Sequence, residues 1–317
     1  MWIYITLAAA FILVALPFIT SFICFRMVFF SKKRVPLGED EYCTLPGEEY
    51  EPYRETMIEW VKQTRKMKKE PMSIISFDGL KLVGNYYENI KGAPIEIMFH
   101  GYKGSAERDM SGGVERAFAC GRNALIVEQR AAGESEGSVI SFGINERRDC
   151  LAWIDCVVER FGPEVKIILT GISMGAATVL MTAGEELPKN VVSVLADCPY
   201  SSAKEIIMKV IDEMRLPSRL FYPFVKLGAK LFGNFNLEEC APIDAVKRAK
   251  IPIIFIHGEA DGFVPCDMSR QLYDACASEK FLLTVPGAAH GVAYPRDKER
   301  YVKAVMDFEK STGFLVK

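Results

Sequence analysis

The chain has 317 residues, of which 39 are Lys or Arg and 41 are Asp or Glu, so its formal charge is −2. Half of the residues are hydrophobic and 11% are aromatic, a composition too rich in core-forming side chains for a disordered protein. A nearly neutral net charge gives no sign of the excess positive charge that is typical of nucleic-acid-binding proteins. Length and composition therefore indicate one globular domain with an appendage.

The appendage is the N-terminal segment from Met1 to Phe25, which contains no charged side chain. A helix of about 20 apolar residues crosses a bilayer, and an interior proline such as Pro17 is tolerated there. A cleaved signal peptide is the alternative. Against it, the segment lacks a basic start and a small-residue cleavage site, and its apolar run is longer than the roughly 7 to 15 apolar residues of a signal peptide. We therefore predict an uncleaved transmembrane anchor over residues 1–30.

Basic residues follow the apolar segment but do not precede it; they are Arg26, Lys32, Lys33 and Arg34. Because Lys and Arg beside a spanning helix stay on the cytoplasmic side, the sequence predicts a single-pass membrane protein with its large domain in the cytoplasm. The nine cysteines contain no CxxC pair and so indicate neither a zinc site nor a disulfide framework. This cysteine usage agrees with a reducing compartment.

Residues 31–71 are predicted to form a linker followed by an amphipathic helix. Residues 35–56 are rich in Glu, Pro and Gly, as is typical of a surface segment. The helix places an apolar stripe that includes Trp60 on one face and basic residues such as Lys62 and Arg65 on the rest. Two interpretations stay open: the stripe packs on the domain while the basic face is solvated, or that face contacts anionic lipid head groups.

From Met72 onward, β-forming runs alternate with helical patterns, which is the signature of an α/β sheet. A hairpin opens the domain, because Asp78-Gly79 is a strong turn dipeptide between two such runs. Eight strands are predicted, near residues 72–77, 80–87, 94–99, 123–128, 165–170, 190–197, 251–257 and 280–286. Helices are predicted near residues 112–121, 145–161, 174–187, 267–278 and 294–311.

One connection is too long for a simple crossover between strands. Residues 200–250 contain helical and apolar sequence, including the aromatic residues Phe221, Tyr222 and Phe224. We predict that residues 201–245 form a small helical cap on the domain of residues 72–317.

The segment Gly171-Ile172-Ser173-Met174-Gly175 is a G-x-S-x-G motif. Alone the motif is weak, but here it follows a predicted strand and precedes a helical pattern, the strand-turn-helix setting of a nucleophile elbow. Such an elbow strains the serine backbone and directs its hydroxyl to a helix N-terminus, where negative charge is stabilised. Ser173 is therefore the predicted nucleophile.

The three histidines, His100, His257 and His290, follow predicted strands. The carboxyl ends of parallel strands form the ligand crevice of an open α/β sheet. His290 is the predicted base, because it lies after the last strand on a loop bracketed by two glycines. His100 and His257 are predicted to fix loop geometry through hydrogen bonds.

Two aspartates are candidates for the acid that orients His290. Asp261 lies just after the seventh strand and is our prediction. Asp197 ends the sixth strand and is the alternative, although the turn at Cys198-Pro199 could use it as a structural cap.

The loop from Phe99 to Gly104 follows the third strand and contains two glycines. Its backbone N–H at Tyr102, together with that of Met174, is predicted to bind the oxyanion of a tetrahedral intermediate. An ordinary β-turn is the alternative explanation of this loop.

Together these motifs resemble the α/β-hydrolase superfamily over about residues 70–317, specifically membrane-anchored bacterial serine hydrolases of its esterase- and peptidase-like branches. The motifs are HGYKGS at 100–105, EQRAAGESEG at 128–137, GISMGAA at 171–177, HGEADGFVP at 257–265 and AAHG at 288–291. Where this chain has Glu128-Gln129-Arg130-Ala131-Ala132-Gly133, family members often carry Asp-x-Arg-Gly-x-Gly, a departure confined to a structural loop. The resemblance implies an eight-stranded, mostly parallel sheet with helices on both faces, and hydrolysis of an ester, thioester or amide through an acyl-enzyme.

The mechanism predicted from these residues requires neither metal nor cofactor, and its partner is a small-molecule substrate. The apolar cap suggests that this substrate carries a hydrophobic acyl group. Two alternative functions stay open: acyl transfer on the same residues, and a catalytically silent, membrane-tethered binding module. The intact set of Ser173, Asp261 and His290 counts against the silent module.

Overall fold

One eight-stranded sheet forms the centre of the domain in the computed structural model, which describes residues 1–32, 41–42, 45 and 47–313, with backbone alone at residues 3 and 5–14. The strands are β1 Glu70–Ile75, β2 Lys81–Tyr87, β3 Ile95–Phe99, β4 Asn123–Val127, β5 Ile167–Ile172, β6 Val191–Asp197, β7 Ile253–Gly258 and β8 Lys280–Val285. Their order is β1-β2-β4-β3-β5-β6-β7-β8; β2 is antiparallel to β1 and β4, and the other neighbours are parallel. The predicted eight-stranded, mostly parallel sheet is confirmed.

Eleven α-helices and one 3₁₀ helix lie within the described residues. The α-helices are α1 Trp2–Val28, α2 Arg54–Lys66, α3 Ala106–Ala119, α4 Glu146–Phe161, α5 Met174–Ala183, α6 Ala203–Glu213, α7 Ser218–Phe232, α8 Pro242–Ala245, α9 Cys266–Ala275, α10 Ala293–Arg296 and α11 Lys298–Ser311, and the 3₁₀ helix is Glu48–Tyr53. Between β6 and β7, the segment predicted as a cap contains α6, α7 and α8.

Helices cover both faces of the sheet, as the continuous apolar sequence of its parallel strands requires. On one face, Trp153 of α4, Leu180 of α5 and Leu272 of α9 pack in the largest buried cluster. On the other face, Val114 of α3 and Val305 of α11 are buried against the strands. The carboxyl ends of the parallel strands are left free to carry the loops of a site.

The predicted and observed helix bounds differ most at α3 and at the C-terminal helix. Helix α3 begins at Ala106, six residues before the prediction, because the Ser105 side chain caps it by accepting from the N–H of Arg108 at 3.2 Å. The helix predicted over 294–311 is divided, because Asp297 leaves the helical conformation and caps α11.

The segment predicted as a linker is partly built into the domain. Residues 33–40, 43–44 and 46 lie outside the described residues, and they include the basic Lys33 and Arg34. Beyond them, Tyr50 of the 3₁₀ helix is buried against the domain, a contact that the prediction of a surface linker did not include. In α2 the apolar stripe packs on the domain: the Trp60 ring stacks on Tyr294 with centroids 5.6 Å apart.

Among the described residues, no helix is long and apolar enough to cross a membrane, so the structure does not support the predicted anchor. Instead, the end of α1 packs on the cap. Phe25 and Phe29 are buried, and the rings of Phe18 and Phe22 both lie 5.1 Å from the ring of Phe232 in α7. The C-terminal part of α1 therefore packs on the domain, although side chains such as Phe22, Ile23 and Met27 stay about half exposed.

Candidate active site

The turn between β5 and α5 has the strained geometry of an elbow. Ser173 has φ 56° and ψ −117°, a region that residues with a side chain rarely adopt. A Cβ at Gly175 would lie 1.9 Å from the carbonyl oxygen of Phe99, and one at Gly171 would lie 2.2 Å from the backbone of Gly175. Only glycine allows α5 to pass this close to β3 and β5, and the strain at Ser173 is held by that packing.

The structure brings together the three side chains predicted to carry the chemistry. Nε2 of His290 lies 3.0 Å from the hydroxyl oxygen of Ser173, and Nδ1 of His290 lies 2.7 Å from Oδ2 of Asp261. In the tautomer that matches both contacts, Nδ1–H donates to the carboxylate and Nε2 accepts from the hydroxyl. A continuous hydrogen-bonded chain therefore runs from Asp261 to Ser173.

The Asp261 carboxylate is held in its ionised form. Its Oδ1 accepts from the N–H groups of Phe263 and Val264 at 3.0 and 2.8 Å. Burial alone would raise the pKa of Asp261, but hydrogen bonds from His257 and His290 outweigh burial and lower the pKa to about 2. A fixed negative charge next to His290 stabilises the imidazolium that forms when the ring accepts a proton.

The alternative acid, Asp197, has a different partner. Its Oδ2 accepts a 2.9 Å hydrogen bond from the hydroxyl of Tyr301 in α11. Burial raises the pKa of Asp197 to about 6, although the Tyr301 hydrogen bond acts in the opposite direction. Asp197 is thus hydrogen-bonded to the phenol group of Tyr301, whereas Asp261 is hydrogen-bonded to the imidazole of His290.

The remaining histidines make hydrogen bonds that fix loops. His100 contacts the Gly101 carbonyl through Nδ1 at 2.8 Å and accepts from the Gln129 N–H through Nε2 at 3.1 Å. His257 contacts Ser269 Oγ through Nδ1 at 2.6 Å. Its Nε2 lies 3.1 Å from the same Asp261 oxygen that faces the other ring. This last contact could not be predicted, because the spacing of the two residues along the chain does not fix how their side chains are oriented.

The loop after β3, which carries one of the predicted oxyanion donors, is held in place by a hydrogen bond to α3. The Gly101 N–H donates to Asp109 Oδ2 of α3 at 3.0 Å. Within the described part of the chain, the N–H groups of Tyr102 and Met174 make no hydrogen bond outside regular helix or strand pairing. The first N–H groups of a helix have no partner inside it, so the Met174 group at the start of α5 is available. The two predicted donors thus lie beside Ser173, one on the loop after β3 and one at the start of α5.

Cys198 lies next to this chain of hydrogen bonds. Its sulfur, the Asp261 carboxylate and the His290 ring offer ligand atoms within 4.8 Å of one another, a grouping that could hold a metal ion. However, the Asp261 and His290 atoms already take part in the hydrogen bonds that link Asp261 through His290 to Ser173. Burial also raises the pKa of the Cys198 thiol, which disfavours the thiolate that a metal needs. We therefore assign no metal to these residues.

Two cavities meet at Ser173. One, of about 480 Å³, lies between α1 and the cap helices α6 and α7. The other, of about 380 Å³, lies toward α2 and α3 and includes His290, Arg108 and Asp109 in its lining. Both volumes fall within the range of about 300–1,000 Å³ that is typical of small-molecule sites.

Comparison with known families adds the decisive observation. Residues 141–312 match the prolyl oligopeptidase family, and this stretch contains Ser173, Asp261 and His290. The chain belongs to the prolyl oligopeptidase family. Membership in this family, together with the sheet described above, places the chain in the α/β-hydrolase superfamily, as the motifs predicted.

Individual proteins are also similar to this chain, at sequence identities below 30%. The chain is 29% identical over 189 residues to the uncharacterized protein YqkD of Bacillus subtilis, covering 59% of this chain and 62% of that one. The Pyrococcus furiosus esterase Pf2001 has a TM-score of 0.64 and 21% identity, with 90% of this chain and 98% of that chain covered. The Pyrococcus horikoshii acylaminoacyl peptidase has a TM-score of 0.56 and 20% identity, with 78% and 42% covered.

The match to the curated relatives is partial: it spans about three fifths of their length. At these identities the two solved structures show the fold alone. Family membership establishes the superfamily, and the reaction is proposed below from the local geometry.

Proposed function

We propose that the protein is a serine hydrolase that cleaves a carboxylic ester, thioester or amide through an acyl-enzyme. The observation that carries this proposal is the chain of two hydrogen bonds, 2.7 and 3.0 Å long, from Asp261 through His290 to a strained Ser173. A serine hydroxyl needs a base to become a nucleophile, and this arrangement provides a base with a fixed tautomer.

The steps follow from the geometry. Ser173 Oγ attacks the substrate carbonyl while its proton moves to Nε2 of His290. The Tyr102 and Met174 N–H groups stabilise the negative oxygen that develops. The tetrahedral intermediate then collapses, the bond to the leaving group breaks, and His290 returns the proton to that group. Water repeats the sequence against the acyl-enzyme and releases the acid, while Asp261 stays ionised throughout.

The names of two structural neighbours, an esterase and an acylaminoacyl peptidase, support acyl-group chemistry without choosing among ester, thioester and amide. A parallel assay chooses among them. The purified protein is offered p-nitrophenyl butyrate, an acyl-CoA and an aminoacyl anilide, with Ser173→Ala as the matched control. Turnover of at least one substrate that disappears in the variant supports the proposal, and turnover that persists in the variant contradicts it.

The same assay separates the alternatives of acyl transfer and catalytic silence. If an added alcohol or amine captures the acyl group in place of water, the protein is an acyltransferase on the same residues. If no substrate turns over and a fluorophosphonate leaves Ser173 unlabelled, the protein is a binding module.

We also propose that the apolar N-terminal segment attaches the protein to a membrane, with the hydrolase domain on the cytoplasmic side. Support comes from the uncharged run up to Phe25 and from the basic residues after it, Arg26 and Lys32 among them. Fractionation of cells that express the full chain tests the attachment. Recovery in the membrane fraction that depends on residues 1–17 supports the proposal, and full recovery in the soluble fraction contradicts it.

A further inference from the structure

The larger of the two cavities beside Ser173 is almost entirely apolar. It lies between the C-terminal half of α1 and the cap, and it has a volume of about 480 Å³. Side chains from three parts of the chain line it, among them Ile23 and Met27 of α1, Phe142, and Ile207 and Ile211 of α6. Polar groups are scarce in this lining, so the cavity suits a hydrocarbon group.

The position of His290 decides which part of a substrate enters which cavity. In the proposed reaction His290 must hand its proton to the leaving group. Of the described residues that line the two cavities, His290 belongs to the smaller cleft, together with the charged Arg108 and Asp109. Ser173 and Tyr102 line both spaces. The leaving group therefore occupies the smaller cleft, and the acyl group extends the other way, into the apolar cavity.

Helix α1 supplies one wall of the apolar cavity with a single face. The residues of this face recur at helical spacing and are Thr20, Ile23, Cys24, Met27 and Val28. The adjacent face packs on α7, where the Phe22 ring meets Phe232. A Cβ at Gly228 would lie 2.4 Å from the carbonyl oxygen of Ser21, so the two helices are in close contact. The wall is thus held in place by the cap.

The same helix end braces the predicted oxyanion loop. The hydroxyl of Tyr102 donates a 2.6 Å hydrogen bond to the Val28 carbonyl, and Lys103 Nζ donates to the Met27 carbonyl at 3.0 Å. These carbonyls lie in the last turn of α1, where helical partners are absent. Helix α1 is thereby joined both to the apolar cavity and to the loop that carries the Tyr102 N–H.

We propose that the apolar cavity binds the unbranched hydrocarbon chain of a fatty acyl substrate, and that residues 20–28 of α1 set the chain length the enzyme accepts. This inference rests on the serine hydrolase function proposed above. During the reaction the acyl carbon bonds to Ser173 Oγ as its bond to the leaving oxygen, sulfur or nitrogen breaks. The proton goes through His290 to that group, and water then releases the fatty acid.

A series of p-nitrophenyl esters from acetyl to palmitoyl tests the inference. Burial of each added methylene is expected to raise kcat/KM by about fourfold until the cavity is filled. Ile23→Trp and Met27→Trp place bulk on the α1 wall and should lower the ratio of long-chain to short-chain kcat/KM at least tenfold. Ile19→Trp is the matched control, because Ile19 lies on the same helix and is about as exposed as Ile23 and Met27, but is outside the lining.

The outcomes separate the two proposals. If the wild-type profile is flat while acetyl ester hydrolysis still depends on Ser173, the acyl-chain inference is wrong and the hydrolase function stands. The inference is also wrong if the control variant shifts the profile as much as the two wall variants. If no ester is hydrolysed and Ser173 resists a fluorophosphonate, the hydrolase function itself fails.

Discussion

The hydroxyl of Tyr301 donates a 2.9 Å hydrogen bond to Asp197, which gives the aspartate at the end of β6 a partner in α11. The aspartate after β7 has the imidazole of His290 as its partner instead. Both carboxylates are buried, and on the proposed function the difference in partner assigns catalysis to Asp261 and a structural role to Asp197.

We therefore expect Asp261→Asn and Asp197→Asn to differ strongly in activity. Asn at position 261 would favour the wrong tautomer of His290, and the equivalent change in a serine protease lowers kcat by about 10⁴. Asn at position 197 can still accept from Tyr301, so its loss should be much smaller. Steady-state kinetics on one ester measures both. The reverse ranking would transfer the role of the acid to Asp197.

His257 should act through Asp261 as a positioning residue. Because the folded pKa of Asp261, about 2, is below its ordinary value near 4, the carboxylate stabilises the fold above pH 4. This contribution is lost as the pH falls from about 4 to about 2. His257→Leu removes one hydrogen bond to Oδ2 and so raises the folded pKa, which should make this contribution smaller and complete its loss at a higher pH.

Acid unfolding followed by circular dichroism measures this shift. His257→Gln is the control, because its amide can still donate to the carboxylate and should restore part of the wild-type midpoint. Equal midpoints for the wild type and His257→Leu would show that the contact does not control the ionisation of Asp261.

The close approach at the elbow predicts a large stability difference between two glycines. Gly175→Ala would force a methyl group to within 1.9 Å of the Phe99 carbonyl oxygen, whereas a Cβ at Gly262 meets nothing within 4 Å. We expect Gly175→Ala to cost about 3 kcal/mol, which lowers Tm by roughly 10 °C. Gly262→Ala should melt close to the wild type. Calorimetry that finds equal Tm values would contradict the packing described for the elbow.

Local sequence signals predicted the sheet and the elbow well. Strand residues such as 253–256 form continuous apolar runs, and the turn glycines, Gly171 and Gly175, each lie two positions from Ser173 in sequence. The prediction began α3 at the adjacent glycines Gly112 and Gly113 and so missed its start, which Ser105 caps. In the structure they are needed, since a Cβ there would lie 2.6 Å from the Trp60 ring and 2.9 Å from the Met98 sulfur.

The contacts between distant segments could not be predicted in this way. The bonds from Tyr102 to Val28 and from Tyr301 to Asp197 join residues 74 and 104 positions apart. Nothing in either local pattern specifies the partner. For the same reason, the apolar run before Arg26 predicts a membrane helix, whereas in the structure its last turns form one wall of a cavity.

The predicted topology has its own test in spheroplasts. Because the membrane potential opposes export of positive charge by about 2.3 kcal/mol per charge per 100 mV, the basic flank should stay in the cytoplasm. We expect the C-terminus to resist added protease until the cells are lysed, with a periplasmic protein as the digestion control. Digestion in intact spheroplasts, or a mature N-terminus beyond residue 25, would place the domain outside.

The central claim is that Ser173 is a nucleophile activated by His290. The most direct measurement is mass spectrometry of the protein after reaction with a fluorophosphonate, followed by peptide mapping of the adduct. We predict a single adduct on Ser173, absent in Ser173→Ala and formed far more slowly in His290→Ala, with both variants folded by circular dichroism. An adduct that persists in Ser173→Ala, or no adduct on the folded wild-type protein, would contradict the claim.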